Sequence, residues 1–259
     1  MYPILFQIGP FTVYSFGVLM ALGFYVGATI SAREYERRGG DRERMWNFLV
    51  WVFLAGLAGS KLLSLAADPA AFFRDPIAQT LSGSGFVWYG GLIGGFIAAW
   101  FLSRSYHMRF SLILECTALG LAIGQAIGRI GCHVAGDGDW GIESTLPWAV
   151  AYEKAIVGWD YPPGVRVHPT PIYEAIAYTL LLFVMLGIRK RDYREGTVFC
   201  VYLLGSSTVR FLVEFIRINP VLAMGLTQAQ WIAIGLAVGA GAWLLTNRPV
   251  AAAVRERAA

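Results

Sequence analysis

Seven long apolar runs constrain this sequence more than any motif in it. They lie at about 11–31, 46–66, 86–103, 112–131, 172–188, 197–215 and 229–246. A helix needs about 20 mainly apolar residues to cross a hydrocarbon core. A soluble fold would have to hide all seven runs beneath a polar skin. Only 15% of the 259 residues are charged and 56% are hydrophobic, whereas soluble domains carry about 25% charged residues. The expected fold class is therefore an all-α integral membrane protein, a single domain over 1–259 with seven transmembrane helices. No internal repeat or low-complexity stretch interrupts it.

Charge gives the expected orientation. Fourteen basic residues fall in alternate links: Arg33, Arg37, Arg38, Arg42 and Arg44; Arg104 and Arg109; Arg189, Lys190, Arg191 and Arg194; Arg248, Arg255 and Arg257. The opposite links hold four: Arg74, Lys154, Arg166 and Arg217. Basic links stay cytoplasmic, so the N-terminus is expected outside and the C-terminus inside. The net charge of +4 then reflects topology and anionic headgroups rather than nucleic acid. The first run has no basic flank before it and is too long for a cleaved signal, so it is expected to stay in place. The cysteines, Cys116, Cys132 and Cys200, are odd in number and lack CxxC spacing. Neither a disulfide framework nor a metal site is expected from them.

The longest link, 132–171, falls on the outer side and is rich in Gly, Pro and aromatic residues. It reads as an ordered outer-face region, with Trp140, Trp148, Trp159 and Tyr161 at headgroup level.

Three basic residues, Lys61, Arg129 and Arg210, and three acids, Glu115, Glu174 and Glu214, sit inside apolar runs. Such groups cost about 2.5–3.5 kcal/mol each on insertion scales, and they face cavities or one another. Arg210, Glu214 and Arg217 are spaced by four and three, which puts them on one helical face. Arg129 and Arg210 approach the same leaflet, and planar guanidiniums suit phosphate. The plainer alternative is an Arg–Glu pair with its heads snorkelling outward. In "YGGLIGG", Tyr89 to Gly95, glycines such as Gly90 and Gly91 serve close helix packing or let a headgroup approach the backbone. "HPTPIYE", His168 to Glu174, opens the fifth run. "GDGDWG", Gly136 to Gly141, lacks the further ligands of a calcium loop. It is expected to turn Asp137 and Asp139 back towards Arg129.

Together these segments resemble the prolipoprotein diacylglyceryl transferase family, in order and over nearly the whole chain. "GRIGCHVAGDGDWG" is similar to that family's signature Gly-Arg-x-Gly-Asn-Phe-x-Asn-x-Glu followed by Trp-Gly, and it keeps Arg129 and Gly131. "HPTPIYE" resembles its His-Pro-Ser-x-x-Tyr-Glu, and "RFLVEFIR" its Arg-Phe-x-x-Glu-Phe-x-Arg, with Arg210, Glu214 and Arg217 in place. The chain departs from the pattern at Lys61, where the family has arginine, and at Tyr89, where it has histidine. Cys132 and Ala135 replace its asparagines.

The resemblance implies transfer of the diacylglyceryl group of phosphatidylglycerol to the lipobox cysteine of a preprolipoprotein. It places the enzyme among membrane lipids in the bacterial inner membrane, with no cofactor. It also implies a lipid site built from Arg129, Arg210, Glu214, Gly90, Gly91, Gly131, Lys61 and Arg217. The candidates for the chemistry are Arg129, Arg210, Tyr89, Asp137, Asp139 and His168. Sequence leaves open which of the last four serves as base. The alternatives are a relative that binds lipid or lipoprotein without transfer, and a small-anion transporter, against which the lack of repeat halves argues.

Overall fold

The computed structural model describes residues 1–9, 11–81, 85–191 and 193–247. The tail arginines Arg248, Arg255 and Arg257 lie outside the described residues. The chain forms two compact units, Met1–Ser31 with Leu114–Ala259, and Ala32–Ile113.

In the larger unit a short hairpin, β1 (Ile4–Ile8) and β2 (Phe11–Tyr14), leads into helix α1 (Ser15–Arg37). The first helix thus starts at Ser15 rather than at 11, because residues Phe11–Tyr14 pair with β1. Helix α6 (Phe110–Ala135) packs on α1 through facing glycines. A Cβ on Gly27 would lie 2.6 Å from the Gly120 carbonyl oxygen, and one on Gly23 would lie 3.0 Å from that of Gly124. This is the close backbone approach that small residues permit between helices in lipid. Helices α7 (Thr170–Ile188), α8 (Thr197–Val213) and α9 (Gln228–Thr246) complete the unit. A second hairpin, β3 (Val221–Ala223) and β4 (Leu226–Thr227), joins α8 to α9. A core of Leu119, Ala122, Leu182, Met185, Val198 and Tyr202 fills the space between α6, α7 and α8.

Buried Glu115 on α6 accepts hydrogen bonds from the backbone N–H groups of Gly196 at 2.9 Å and Val198 at 3.1 Å. It caps the start of α8, where first-turn donors have no intrahelical partner. Thr227 caps α9 in a capping box with Gln230.

The smaller unit is built on α2 (Arg42–Ala67), capped by Asp41, and α5 (Trp88–Ser105), with two short helices between them, α3 (Pro69–Arg74) and α4 (Pro76–Leu81). Gly90 and Gly94 abut Gly59 and Ala55, and Gly91 faces Gly56.

The protein is mostly helical, with no closed sheet among the described residues. Among the described residues, six helices are long and apolar enough to cross a membrane: α1, α2, α6, α7, α8 with its 3-10 extension to Ile216, and α9. Helix α5, from the third apolar run, has 18 residues and is not one of the six.

The α6–α7 connection is ordered by two devices. Trp140 stacks on Tyr152 with ring centroids 5.0 Å apart, and Trp159 and Tyr161 extend the cluster. Trp140 is buried in this cluster, whereas Trp148 is exposed. The second device is a small backbone ladder. Gly141 N–H donates to His168 O at 2.9 Å and His168 N–H to Ile142 O at 3.0 Å, while Val150 and Val167 exchange bonds on the other side. Ile142 N–H donates to Ile216 O at 2.8 Å, tying the ladder to the end of α8.

Candidate active site

The chain leaves α6 at Ala135 through two glycines in left-handed backbone, Gly136 at φ 66° and Gly138 at φ 94°. Residues with a Cβ rarely adopt that conformation. The resulting turn swings Asp139 back beneath α6, where its carboxylate pairs with Arg129 and, through its other oxygen, with Arg217. The Thr170 hydroxyl donates to the Asp139 carbonyl, fixing the turn to the start of α7.

Glu174, one turn into α7, has a fully buried side chain. It lies 3.2 Å from Arg129 Nε, 3.6 Å from Arg210 Nη1 and 3.6 Å from Arg217 Nη1. Arginines from two helices and from the segment after α8 thus converge on one carboxylate. Arg210 Nη2 also pairs with Glu214 at 2.9 Å. Glu214 in turn accepts from Thr227 Oγ1 at 2.7 Å and Asn219 Nδ2 at 2.8 Å.

Three guanidiniums and three carboxylates balance in formal charge, yet donors remain unspent. Buried Arg210 Nη1 and Arg217 Nε and Nη1, like the Glu174 oxygens and Glu214 Oε2 that they face at 3.6–3.8 Å, make ion pairs but no hydrogen bond with one another. Buried charged groups are ordinarily hydrogen-bonded.

The spacing expectation for Arg217 needs correction. Helix α8 ends at Val213, a 3-10 turn covers Glu214–Ile216, and Arg217 is extended. The bend carries Arg217 inward: its side chain is 7% exposed against 26% for Arg210. It is the more buried arginine, not the one nearer water. Gly131 is a packing position on α6, where a Cβ would sit 3.2 Å from Leu19 Cβ.

Asp137 and Asp139 diverge electrostatically. Burial pushes Asp137 above the usual carboxylate range, and its bond to the Cys132 thiol and the charge of Arg129 offset this only partly. Burial would also raise Asp139, but its bond to Arg217 and the charges of Arg217, Arg129 and Arg210 outweigh burial and hold it low. Cys132 lies inside α6 rather than after it, and its sulfur approaches both carboxylates to within 4.8 Å. Both Asp139 oxygens already face guanidiniums, whose charge opposes a cation there.

The His168 Nδ1 lies 3.1 Å from the Tyr173 hydroxyl, which accepts from Trp148 Nε1 at 2.8 Å. Lys61, Tyr89, Gly90 and Gly91 belong to the smaller unit. There Lys61 lies over the Phe86 ring at 5.2 Å, Tyr89 is exposed in the first turn of α5, and Gly90 and Gly91 form its crossing with α2. Sequence reasoning passed over Glu174 as a site residue. Its signal was an acid inside an apolar run, following two prolines.

The family model for prolipoprotein diacylglyceryl transferase matches residues 3–246. Curated relatives named phosphatidylglycerol–prolipoprotein diacylglyceryl transferase include one from Clostridium tetani, 29% identical over 85% of this chain and 87% of its own length. One from Halalkalibacterium halodurans is 31% identical over 90% of this chain and 82% of its own length. Another, from Dehalococcoides mccartyi, is 33% identical over 90% of this chain and 88% of its own length. With the family model matched over residues 3–246, the chain belongs to the prolipoprotein diacylglyceryl transferase family.

Proposed function

We propose that the chain transfers the diacylglyceryl group of phosphatidylglycerol to the lipobox cysteine thiol of a prolipoprotein. The cysteine sulfur bonds to the diacylglyceryl carbon that carries the phosphate. The C–O bond from that carbon breaks, and its electron pair leaves on the phosphate oxygen as glycerol 1-phosphate. The thiol proton passes to a base, and a thioether remains.

The observation that carries this proposal is the buried cluster around Glu174. Its three guanidiniums, two of them at 3.6 Å and one at 3.2 Å from Glu174, suit a phosphate whose charge grows as the C–O bond breaks. Preorganised donors aimed at developing charge often contribute more to catalysis than any other single effect. Arg129 and Arg210 stabilise the leaving phosphate, and Arg217, Glu214 and Gly131 support the lipid site. Lys61, Gly90 and Gly91, in the smaller unit, are further lipid-binding candidates. Among the base candidates, Asp139 is held as a carboxylate by its arginines and acts as their anchor. Asp137, lifted by burial and, among the described residues, bonded to no guanidinium, is the stronger proton acceptor of the two acids. Tyr89 positions lipid, and His168 belongs to the protein-facing side.

The enzyme works as a single domain in the bacterial inner membrane, with α5 as a seventh crossing, the N-terminus outside and the 132–171 region on the outer face. At 1.5 Å per residue, α5 is about 27 Å long, close to the hydrocarbon thickness of about 30 Å. The test is complementation of a transferase-depleted bacterium, with thioether-linked diacylglyceryl on the lipobox cysteine read by mass spectrometry. Wild type should restore the modification and Arg129→Ala should not. A folded, membrane-inserted wild type that leaves the cysteine unmodified would refute the proposal.

A further inference from the structure

The α6–α7 connection also forms an open groove of about 610 Å³, lined by Glu143, Ser144, Thr145, Leu146, Arg166 and His168 among others. The transfer chemistry described above leaves it unused. Building on the transferase reading, we infer that this groove seats the extended polypeptide that follows the target cysteine of the prolipoprotein.

Three observations lead there. The lining residues all lie between α6 and α7, outside every apolar run, so an occupant arrives from water rather than from lipid. The groove volume falls in the range of specific ligand sites, about 300–1,000 Å³.

The second observation is continuity with the arginine cluster. His168 lines the groove and its carbonyl accepts from Gly141 N–H. Two residues on, the Thr170 hydroxyl holds the Asp139 carbonyl, and Asp139 pairs with Arg129 and Arg217. Two residues of extended chain cover about 7 Å. The groove wall and the arginine cluster are thus joined by a short, hydrogen-bonded segment, which places the cysteine before a seated peptide near a headgroup held there.

The third is chemistry. The lining carries one acid, Glu143, and one permanent base, Arg166, whose charges cancel, together with the Ser144 and Thr145 hydroxyls. Such a wall offers hydrogen bonds without selecting a charge. It suits the main chain of a neutral polar segment, and thus clients that share little beyond the cysteine.

The test uses full-length protein in detergent and two fluorescein-labelled peptides, one ending at the lipobox cysteine and one continuing past it. Fluorescence anisotropy gives each affinity. Thr145→Trp, at an exposed position, fills the groove and should weaken the longer peptide at least about tenfold, or 1.4 kcal/mol, while leaving the shorter one unchanged. Thermal unfolding confirms that the variant is folded, and Leu146→Trp serves in its place if it is not. Equal affinity of wild type and variant for the longer peptide would overturn the inference. So would equal weakening of both peptides, or no gain from the continuation in wild type. Thioether formation by wild type on a full-length prolipoprotein is measured separately. Its absence refutes the transferase reading, whereas its presence with an insensitive Thr145→Trp variant refutes the groove alone.

Discussion

Glu174→Gln tests the cluster at its centre. The substitution keeps the side chain's shape and removes one negative charge from among three guanidiniums that lie 3.2–3.6 Å away. At an effective dielectric constant of about 20, each contact is worth about 5 kcal/mol of attraction. Most of that is offset by desolvation and by repulsion among the arginines. Breaking a buried ion pair typically costs a net 3–5 kcal/mol. For a chain of this size, about 2–4 °C is lost per kcal/mol, so the melting temperature in lipid nanodiscs should fall by roughly 6–20 °C. The excess positive charge should at the same time hold the anionic headgroup more tightly while turnover drops, because the arginines lose the carboxylate that aims them. The paired assay is thermal unfolding and lipidation kinetics across a phosphatidylglycerol series. A Glu174→Gln protein with wild-type melting and wild-type kinetics would refute the placement of Glu174 as the hub.

Arg217→Lys should reduce turnover about ten- to a hundredfold, corresponding to the loss of a charged hydrogen bond of about 1.5–3 kcal/mol, since lysine cannot present a fork to Asp139, Glu174 and Glu214 together; wild-type rates would return Arg217 to a solvated role. Asp137→Asn should abolish the rise of activity with pH above the ordinary carboxylate range, and Asp137→Glu should retain it. The same ionisation lowers stability, because the folded state holds this proton more tightly than the unfolded chain. Wild-type stability should therefore fall as pH rises from the ordinary Asp value through the raised one, and Asp137→Asn should lack that fall in a pH series of melting curves. Gly27→Val should lower stability by about 1–3 kcal/mol through its clash with the Gly120 carbonyl, whereas Gly17→Val, with open space around it, should melt near wild type; similar melting of the two variants would remove the α1–α6 contact as a constraint.

Local spacing made part of this architecture legible. Arg210 and Glu214 pair as residues four apart on a helix should, and the glycines of "GDGDWG" do return an acid to Arg129. What stayed hidden depends on chain segments distant in sequence. Glu174 looked like one more acid near a helix start, because only the packing of α6, α7 and α8 makes it a shared partner. Arg217 was placed on the face of a continuous helix because helical spacing was extended past Val213, where the backbone leaves the helix and bonds to Ile142. The stacking of Trp140 on Tyr152 stayed hidden because composition cannot show which aromatics of a loop pack on one another. Residues Phe11–Tyr14 passed for the start of a span because an apolar strand and an apolar helix turn look alike over four residues.

The shared carboxylate also bears on biogenesis. Arg129 is about 21 Å along α6 from Glu115, the nearest acid on its own helix, so newly made α6 carries an uncompensated charge. Its compensators, Asp139 and Glu174, emerge from the ribosome only with the following loop and α7. Helix α7 brings Glu174 to Arg129, and the cluster closes only when α8 arrives with Arg210. Insertion machinery should therefore retain α6, α7 and α8 together and release them into lipid as one cargo. Nascent chains halted after Gly164 should crosslink to that machinery and turn over faster in pulse-chase than chains halted after Asn247. Equal lifetimes would show that α6 is at home in lipid alone, its arginine reaching the headgroups without help.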